Sequence, residues 1–157
     1  MLGKYCMNIE EHDFPLPDNL AENIVELSKT APGIECHNKG GWQGNIDAAY
    51  PAWAHELVAQ LADYFKDYRI HGIWFNVNGP GHRNIMHRHY VDSTTAVLYI
   101  QVPENSGNVV FQHNRERISM MPSPGLLLTF PSDIMHGVEE NKSRENRISL
   151  AFNLIKK

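Results

Sequence analysis

The chain has 157 residues, of which 42% are hydrophobic and 20% are charged, and its formal net charge is −4. This length and composition are typical of a globular protein with one hydrophobic core, so we predict a single domain over residues 1–157. The mildly acidic balance, with Lys and Arg scattered along the chain, does not favour binding of nucleic acid or of a membrane surface.

The sequence also lacks the patterns of exported or membrane proteins. No apolar stretch approaches the ~20 residues of a membrane span, and the N-terminus has no signal-peptide pattern. The two cysteines, Cys6 and Cys36, are too few for a disulfide framework, so we interpret them as free thiols in a reducing compartment. We therefore expect a cytoplasmic location.

The first part of the chain, residues 1–68, is expected to be mainly helical. A first helix is predicted over residues 18–29, with Asp18 as its N-cap and an apolar stripe at helical spacing. A glycine-rich stretch around Trp42 follows it. A second helix is predicted over residues 51–68, because a proline favoured in the first turn precedes an apolar stripe.

The second part, residues 69–157, has short apolar or alternating segments separated by turns rich in proline and glycine. The predicted strands are residues 70–78, 83–89, 94–102, 107–112, 116–120, 125–130 and 146–155. Many short strands after two helices indicate a mainly β fold, a sandwich or a small barrel, with the helices packed on one sheet.

Two of these strands alternate between an apolar face and a polar face. In the last strand, Ile148 and Leu150 point to one side, whereas Arg147 and Ser149 point to the other. An apolar face covered by helices and a polar face lining a pocket are what a ligand-binding barrel needs. The polar faces of the two strands carry Asn76, Asn78, Arg147, Ser149 and Asn153.

Three histidines form the candidate metal site. His87 and His89 are two residues apart, so on a strand both side chains leave the same face and can bind one ion. His136 follows another predicted strand after a short turn, which can bring it across the barrel to complete the set. Three imidazoles suit iron, zinc, copper or nickel and leave coordination positions open. The alternative is that these are ordinary surface or core histidines.

A carboxylate ligand at Asp92 is a weaker hypothesis. Asp92 is at odd spacing from both His87 and His89, so on a regular strand it faces away from them. A bulge at Tyr90–Val91 could bring it back, but we prefer a site of three histidines. We interpret His12, His37 and His55 as solvated or capping residues.

Arg147 is the candidate anion-binding residue beside the metal. Its guanidinium can bind a carboxylate through two parallel hydrogen bonds, and the hydroxyl of Ser149 can add another. The alternative is a surface ion pair with Glu139, Glu140 or Glu145. The position of Arg147 soon after the distal histidine favours the ligand-binding role.

Seven segments, in the right order, resemble the Fe(II)- and 2-oxoglutarate-dependent oxygenases, and within them the oxygenases of bacteria and phages. The matching segments are residues 74–81, 87–89, 96–100, 107–111, 124–131, 136–138 and 147–153, with a weaker match at 40–42. The chain departs from the common pattern at His89, where most of the superfamily has a carboxylate. A third neutral ligand leaves the iron with one more unit of positive charge, which is expected to alter its reactivity.

The resemblance implies a double-stranded β-helix, or jelly roll, that hydroxylates an unidentified substrate with O2 and 2-oxoglutarate and releases succinate and CO2. It implies iron bound by His87, His89 and His136. It also implies that the far carboxylate of 2-oxoglutarate binds Arg147 and Ser149. Further cofactor contacts or pocket-lining groups would be Tyr99, Asn76, Asn78 and Asn153.

Two other functions remain open from the sequence. A cupin that does not use 2-oxoglutarate, either an isomerase or a dioxygenase, fits the spacing from Gly81 to His87 and His89. No glutamate follows this pair at the cupin interval, however, and Arg147 would have no role there. A metal-bearing binding module without turnover is the second alternative, since jelly rolls host many functions.

The substrate and the oligomeric state are not encoded by a readable motif. Substrate contacts are expected from residues 33–44, 90–93 and 112–117. A homodimer is an open alternative: Tyr5, Phe14 and Trp53 are expected to be exposed aromatic residues that either contact a second copy or pack on the helices.

Overall fold

The computed structural model describes residues 7–89 and 92–157, so Cys6, Tyr5 and the hypothetical bulge at Tyr90–Val91 lie outside the described residues. The helices are α1 (Leu20–Ser28) and α2 (Ala52–Tyr64). The strands are β1 (Glu10–Asp13), β2 (Asn38–Lys39), β3 (Trp42–Asn45), β4 (Tyr68–Asn78), β5 (Arg83–His87), β6 (Thr94–Gln101), β7 (Val109–His113), β8 (Glu116–Met120), β9 (Leu126–Pro131), β10 (Met135–Val138) and β11 (Arg147–Lys156).

Two antiparallel sheets make up the β part of the molecule. The larger sheet has the strand order β1-β9-β6-β11-β4-β3, and the smaller has the order β2-β5-β10-β7-β8. Buried side chains from both sheets, among them Tyr99, Phe111, Leu128 and Phe130, form a cluster between them. The predicted mainly β class with two N-terminal helices is therefore confirmed.

Both helices cover the opposite face of the larger sheet. Ile24 of α1 and Leu57 and Leu61 of α2 are at most 1% exposed and pack in one cluster with Phe75 and Leu150 of the sheet. Burial of each such side chain contributes about 1.5–3 kcal/mol to the stability of the fold. This helix-side core fixes the position of β4 and β11, and hence of the polar residues on their other face.

Strand β11 shows why the sheet has one apolar and one polar face. Ile148, Leu150 and Phe152 are fully buried in the helix-side core. Arg147 and Ser149, which alternate with them, line a cavity between the two sheets. The two-residue period of a strand produces this division, as the sequence predicted.

The helices are shorter than predicted. Asn19, rather than Asp18, is the N-cap of α1; its φ of 60° is left-handed, and its side chain makes no capping hydrogen bond. Asparagine tolerates this conformation better than most residues. Helix α2 ends at Tyr64, because Tyr68 begins β4 and pairs with Lys156 of β11. Sheet pairing therefore overrides the apolar pattern that predicted a longer helix.

Four short strands were not predicted: β1, β2, β3 and β10. They have only two to four residues each, and β1 and β2 are largely polar. Each is defined by a partner distant in sequence, for example β1 by β9 and β3 by β4. Local alternation therefore gave no signal for them.

Two expectations about the surface can also be compared with the structure. Phe14 is buried, and half-buried Trp53 packs against the helix-side core, so neither is the exposed aromatic residue that the dimer hypothesis required. The homodimer itself stays a prediction.

Among the helices of the described residues, none is long and apolar enough to cross a membrane.

Candidate metal centre and adjoining cavities

The three predicted metal ligands lie together beside the gap between the sheets. His87 ends β5, and His136 lies opposite it on the neighbouring strand β10. His89 lies two residues beyond β5, where its backbone N–H donates to the carbonyl of Ser132 at 2.8 Å. One ring nitrogen from each histidine lies within 4.8 Å of the others.

This arrangement fits a metal ion. Imidazole–metal bonds of about 2.1 Å place two ligand nitrogens at most roughly 4.2 Å apart, so the rings need only a small rotation to reach one ion. Among residues 7–89 and 92–157, His87, His89 and His136 are the group of ligand atoms close enough together to hold a metal ion. Three protein ligands leave positions open for a co-substrate, as a catalytic site requires.

Each of the three imidazoles is oriented by a hydrogen bond at Nδ1. His87 Nδ1 lies 2.7 Å from the carbonyl oxygen of Ile85, and His136 Nδ1 lies 2.9 Å from that of Ile134. His89 Nδ1 lies 2.9 Å from Oδ1 of Asn153. Carbonyl oxygens only accept, so Nδ1 carries the proton and Nε2 keeps its lone pair for a metal.

Burial keeps two of these imidazoles in the metal-binding form. Desolvation lowers the pKa of His136 to about 3 and that of His87 to about 4. Neighbouring histidines lower both pKa values further, whereas the hydrogen bonds to backbone carbonyls oppose the shift. Both side chains are therefore neutral near pH 7, and a metal ion meets no competing proton there.

Asp92 is separate from this cluster. Its side chain is exposed, and it lines a different pocket that contains Glu10, His12 and Lys156. It is not one of the residues whose ligand atoms come together with His87. The preference for three histidines over a carboxylate agrees with this placement.

A cavity between the sheets, which we call the inner cavity, adjoins the histidines. The residues that line it include Asn76, Asn78, Tyr99, Arg147 and Ser149, together with His87 and His136. These residues come from β4, β5, β6, β10 and β11. The structure therefore brings two of the three predicted metal ligands, His87 and His136, and the predicted carboxylate-binding residues to one cavity.

Arg147 is a buried cation with capacity to bind a ligand. Its side chain is 3% exposed, and its Nη1 donates to the carbonyl of Gly107. Its Nη2 is buried without a hydrogen-bond partner, and no carboxylate among the described residues is within ion-pair distance of it. The surface ion pair with Glu139, Glu140 or Glu145 is thus not formed. An unpaired buried cation is costly, which favours an anionic ligand at this position.

The aromatic ring of Tyr99 supports this guanidinium. Its centroid is 5.7 Å from Cζ of Arg147, a cation–π distance. Burial raises the pKa of Tyr99 to about 12, so the phenol stays protonated and can donate a hydrogen bond. Burial also lowers the pKa of Arg147, but an arginine remains charged near pH 7.

The three predicted asparagines have different surroundings. Asn76 and Asn78 pair with Ser149 and Arg147 in the β4–β11 ladder, and each has a buried, unpartnered Oδ1. Asn78 also donates from Nδ2 to Oδ1 of Asn84 at 2.5 Å. Asn153 instead accepts from His89 and from Thr95. Asn153 therefore orients a candidate ligand, whereas Asn76 and Asn78 line the inner cavity.

A second opening, which we call the outer cleft, also adjoins the histidines. It has a volume of about 460 Å³, and its lining includes Cys36, His37, Gln43, Asn45 and Trp74, together with His87 and His89. Trp74, Asn84 and His87 border both openings. None of the described residues that line the outer cleft is Asp, Glu, Lys or Arg. The cleft is therefore uncharged, with the apolar side chains of Ile46, Ile73 and Trp74 beside the amides of Gln43 and Asn45.

Sequence reasoning missed two contacts of this centre. His37, interpreted as solvated or capping, stacks on His87 with ring centroids 3.9 Å apart. Gly107 supplies the carbonyl that holds Arg147. Both depend on pairings across 50 or 40 positions of the chain, and neither residue type by itself indicates the contact.

A family model described as "Putative 2OG-Fe(II) oxygenase" matches residues 112–153 of the chain. The matched segment contains His136, Arg147, Ser149 and Asn153. No functionally curated protein matches the chain in sequence.

Solved structures share the fold over nearly the whole chain. A prolyl-4-hydroxylase from Pseudomonas putida is 17% identical, with a TM-score of 0.73, over 98% of this chain and 95% of that one. SnoN, a non-haem α-ketoglutarate-dependent epimerase from nogalamycin biosynthesis, is 13% identical, with a TM-score of 0.75, over 98% of this chain and 79% of that one. HygX from Streptomyces hygroscopicus, with nickel and 2-oxoglutarate bound, is 11% identical, with a TM-score of 0.69, over 99% of this chain and 85% of that one.

These matches confirm the predicted jelly roll and the resemblance to 2-oxoglutarate-dependent oxygenases. Fe(II) and 2-oxoglutarate, the expected cofactor and co-substrate, are those of the matched family. The structural relatives include a hydroxylase and an epimerase, so the shared fold does not specify the reaction.

Proposed function

We propose that this protein is an Fe(II)- and 2-oxoglutarate-dependent dioxygenase that hydroxylates its substrate and releases succinate and CO2. The observation that carries the proposal is the buried guanidinium of Arg147, whose Nη2 is unpartnered and which lines the same cavity as His87 and His136. A cation beside a metal site suits a co-substrate with a carboxylate at one end and a chelating group at the other.

We assign the metal to His87, His89 and His136. The protonated Nδ1 atoms and the low pKa values of His87 and His136 support this assignment, since both favour a free lone pair on Nε2. When bound there, Fe(II) supplies with O2 and 2-oxoglutarate the oxidising power that inserts oxygen into a C–H bond. The protein holds the reactants in position beside it.

We assign the far carboxylate of 2-oxoglutarate to Arg147 and Ser149. Nη1 of Arg147 is held by Gly107, so the guanidinium has a fixed orientation and offers Nη2 to the ligand. The hydroxyl of Ser149 lies on the same face of β11, and Tyr99 lies beneath the guanidinium. The protonated phenol of Tyr99 can add a further hydrogen bond.

We assign the prime substrate to the outer cleft. The cleft borders His87 and His89, and Arg147 is not among the residues that line it, so a substrate there can approach the metal while 2-oxoglutarate occupies the inner cavity. Its uncharged lining, with the amides of Gln43 and Asn45 beside the indole of Trp74, favours a neutral substrate that forms hydrogen bonds. The volume suits a small molecule or a single side chain of a larger one.

The two rival functions explain less of the site. A cupin without 2-oxoglutarate leaves the buried charge of Arg147 unneutralised, and a binding module does not need three metal ligands beside a carboxylate site. The segment matched by the oxygenase family model includes both His136 and Arg147. These observations favour the oxygenase.

The test is an anaerobic titration of metal-free protein with Fe(II), followed by 2-oxoglutarate, to detect the weak visible charge-transfer band of the chelate. We expect the band in the wild type and in Arg115→Ala, which removes an exposed arginine. His136→Ala should abolish it. Arg147→Ala should raise the 2-oxoglutarate Kd about 30-fold or more, as for truncation of a buried charge pair.

Two outcomes would count against the proposal. If the wild type binds Fe(II) but forms no band with 2-oxoglutarate, the dioxygenase is excluded and the cupin becomes the leading function. If Arg147→Ala and Arg115→Ala have the same 2-oxoglutarate Kd, Arg147 is structural and the co-substrate site lies elsewhere.

A further inference from the structure

The imidazole of His37 lies flat against a candidate metal ligand. The rings of His37 and His87 have centroids 3.9 Å apart and an interplanar angle of 7°. The other two ligands also have aromatic neighbours, Trp74 at 5.9 Å from His89 and Phe130 at 4.8 Å from His136, but these rings are tilted by 44° and 66°. The parallel stack on His87 is the closest of the three contacts.

The main chain holds this stack in place through one residue, Ile85. The N–H of Ile85 donates to the carbonyl of His37 at 2.9 Å, and the carbonyl of Ile85 accepts from Nδ1 of His87 at 2.7 Å. The next residue, Asn38, pairs with Asn84 in the β2–β5 ladder. The segment that carries His37 and the ring of His87 are therefore both fixed to Ile85, through its two adjacent peptide units.

The chemistry of the stack favours a metal-bound His87. When an imidazole binds a cation, its ring becomes electron-poor, and a neutral aromatic face against it is stabilising. The ring nitrogens of His37 make no hydrogen bond to the described residues, so no competing partner there explains the orientation of this ring. His37 also lines the outer cleft beside His87 and His89.

We propose that His37 is a positioning residue of the metal centre, whose ring holds His87 in the orientation that directs Nε2 to the metal. This inference rests on the metal site of the proposed function. It assigns a role to a residue 50 positions before His87 and outside the motifs that suggested the site.

The test measures metal binding rather than turnover. Metal-free protein is titrated with Co(II), which reports ligand geometry through its visible spectrum, in the wild type, His37→Ala and His37→Phe. We expect His37→Ala to raise the Co(II) Kd about 10-fold, in the range for residues that orient a ligand, and to change the spectrum. His37→Phe keeps a stacking ring and should stay within about threefold of the wild type. His71→Ala, which removes an exposed histidine, is the matched control and should bind as the wild type does.

The outcomes separate this role from packing and from the proposed function. If the wild type and His37→Ala have equal Co(II) Kd values and equal spectra, the inference is wrong. It is also wrong if the Co(II) Kd of His37→Phe is as high as that of His37→Ala. A loss of thermal stability in metal-free His37→Ala without a change in Kd also overturns it. If His37→Ala does not fold, His37→Leu removes the π face but keeps the volume. If the wild type binds no Co(II), or His136→Ala binds it equally well, the proposed metal centre itself fails.

Discussion

At the scale of single residues, the candidate ligands are held by neighbours that control which ring nitrogen carries a proton. Backbone carbonyls of Ile85 and Ile134 do this for His87 and His136. His89 lies beyond the end of β5 and depends on the side chain of Asn153 instead. Of the three, His89 is therefore the ligand whose orientation a point mutation can test most directly.

Replacing Asn153 with alanine should weaken metal binding. The substitution removes the acceptor for Nδ1 of His89, 2.9 Å away, so the ring loses its preferred tautomer and orientation. We expect the Kd for Fe(II) to rise between about 10-fold and 100-fold. Asn153→Asp keeps an acceptor oxygen and should restore most of the affinity, as measured by the same anaerobic titration. An Asn153→Ala protein that binds Fe(II) as tightly as the wild type would contradict this role.

Gly107 offers a second test at this scale. Its φ is +96°, and a Cβ there would lie 2.3 Å from the carbonyl oxygen of Glu139. Gly81 has a similar φ of +82° but nothing within 4 Å of its Cβ position, so it is the matched control. Left-handed backbone alone costs about 1–2 kcal/mol. We expect Gly107→Ala to lose more unfolding free energy than Gly81→Ala in urea denaturation, and to weaken 2-oxoglutarate binding through Arg147.

At the scale of secondary-structure elements, β11 has separate roles on its two faces. Its buried apolar residues hold the helices on the larger sheet, and its polar residues line the inner cavity. This separation follows from the strand period, and it predicts that stability and co-substrate binding can be changed independently.

Leu150→Ala and Ser149→Ala should separate these two roles. Leu150 is fully buried, so its truncation should lower the unfolding free energy by about 2–5 kcal/mol and leave the 2-oxoglutarate Kd of the folded protein unchanged. Ser149→Ala should do the opposite, with a small change in stability and a higher Kd. Urea denaturation and the chelate titration measure the two effects. Equal effects of both variants on the Kd would show that the faces are not independent.

Sequence patterns predicted the long strands but not the shortest ones. The segments that became β4 and β11 have enough alternating residues to reveal their period, and those that became β6 and β9 are apolar runs bounded by turns. The strand with His136 has four residues, and β2 has two, so their existence depends on register with a partner. The spacing of His87 and His89 indicated a metal pair, but nothing local encodes the stack of His37 on His87 or the hydrogen bond from His89 to Asn153. Those contacts arise only when β2 and β11 are in place.

At the scale of the whole molecule, the metal-free protein should be sensitive to acid. Burial lowers the pKa of His87 to about 4 and of His136 to about 3, from the ordinary value of 6.5. At a pH between the lowered pKa values and 6.5, the histidines of the unfolded chain bind protons, whereas His87 and His136 of the folded protein do not. The unfolding free energy should therefore fall as the pH decreases below 6.5, by up to about 1.4 kcal/mol per pH unit for each histidine.

Urea denaturation at several pH values between about 5 and 7.5 measures this slope. The variant His136→Leu should lose the share of the slope that belongs to His136. Bound metal should raise the unfolding free energy but leave this slope in place, since it excludes protons only from the folded protein while the histidines of the unfolded chain still titrate. A slope that is the same in His136→Leu and in the wild type would mean that His136 does not titrate as its burial requires.

The unpaired charge of Arg147 has a consequence for the protein in a cell. A folded chain with a buried cation that lacks an ion-pair partner is less stable than the same chain with a carboxylate bound there, and saturation at 100 times Kd adds about 2.7 kcal/mol. A difference of this size changes the fraction of molecules exposed to proteases several-fold. If 2-oxoglutarate binds at Arg147 as proposed, the abundance of the protein would then follow the supply of this keto acid, and a cell short of it would also degrade the protein.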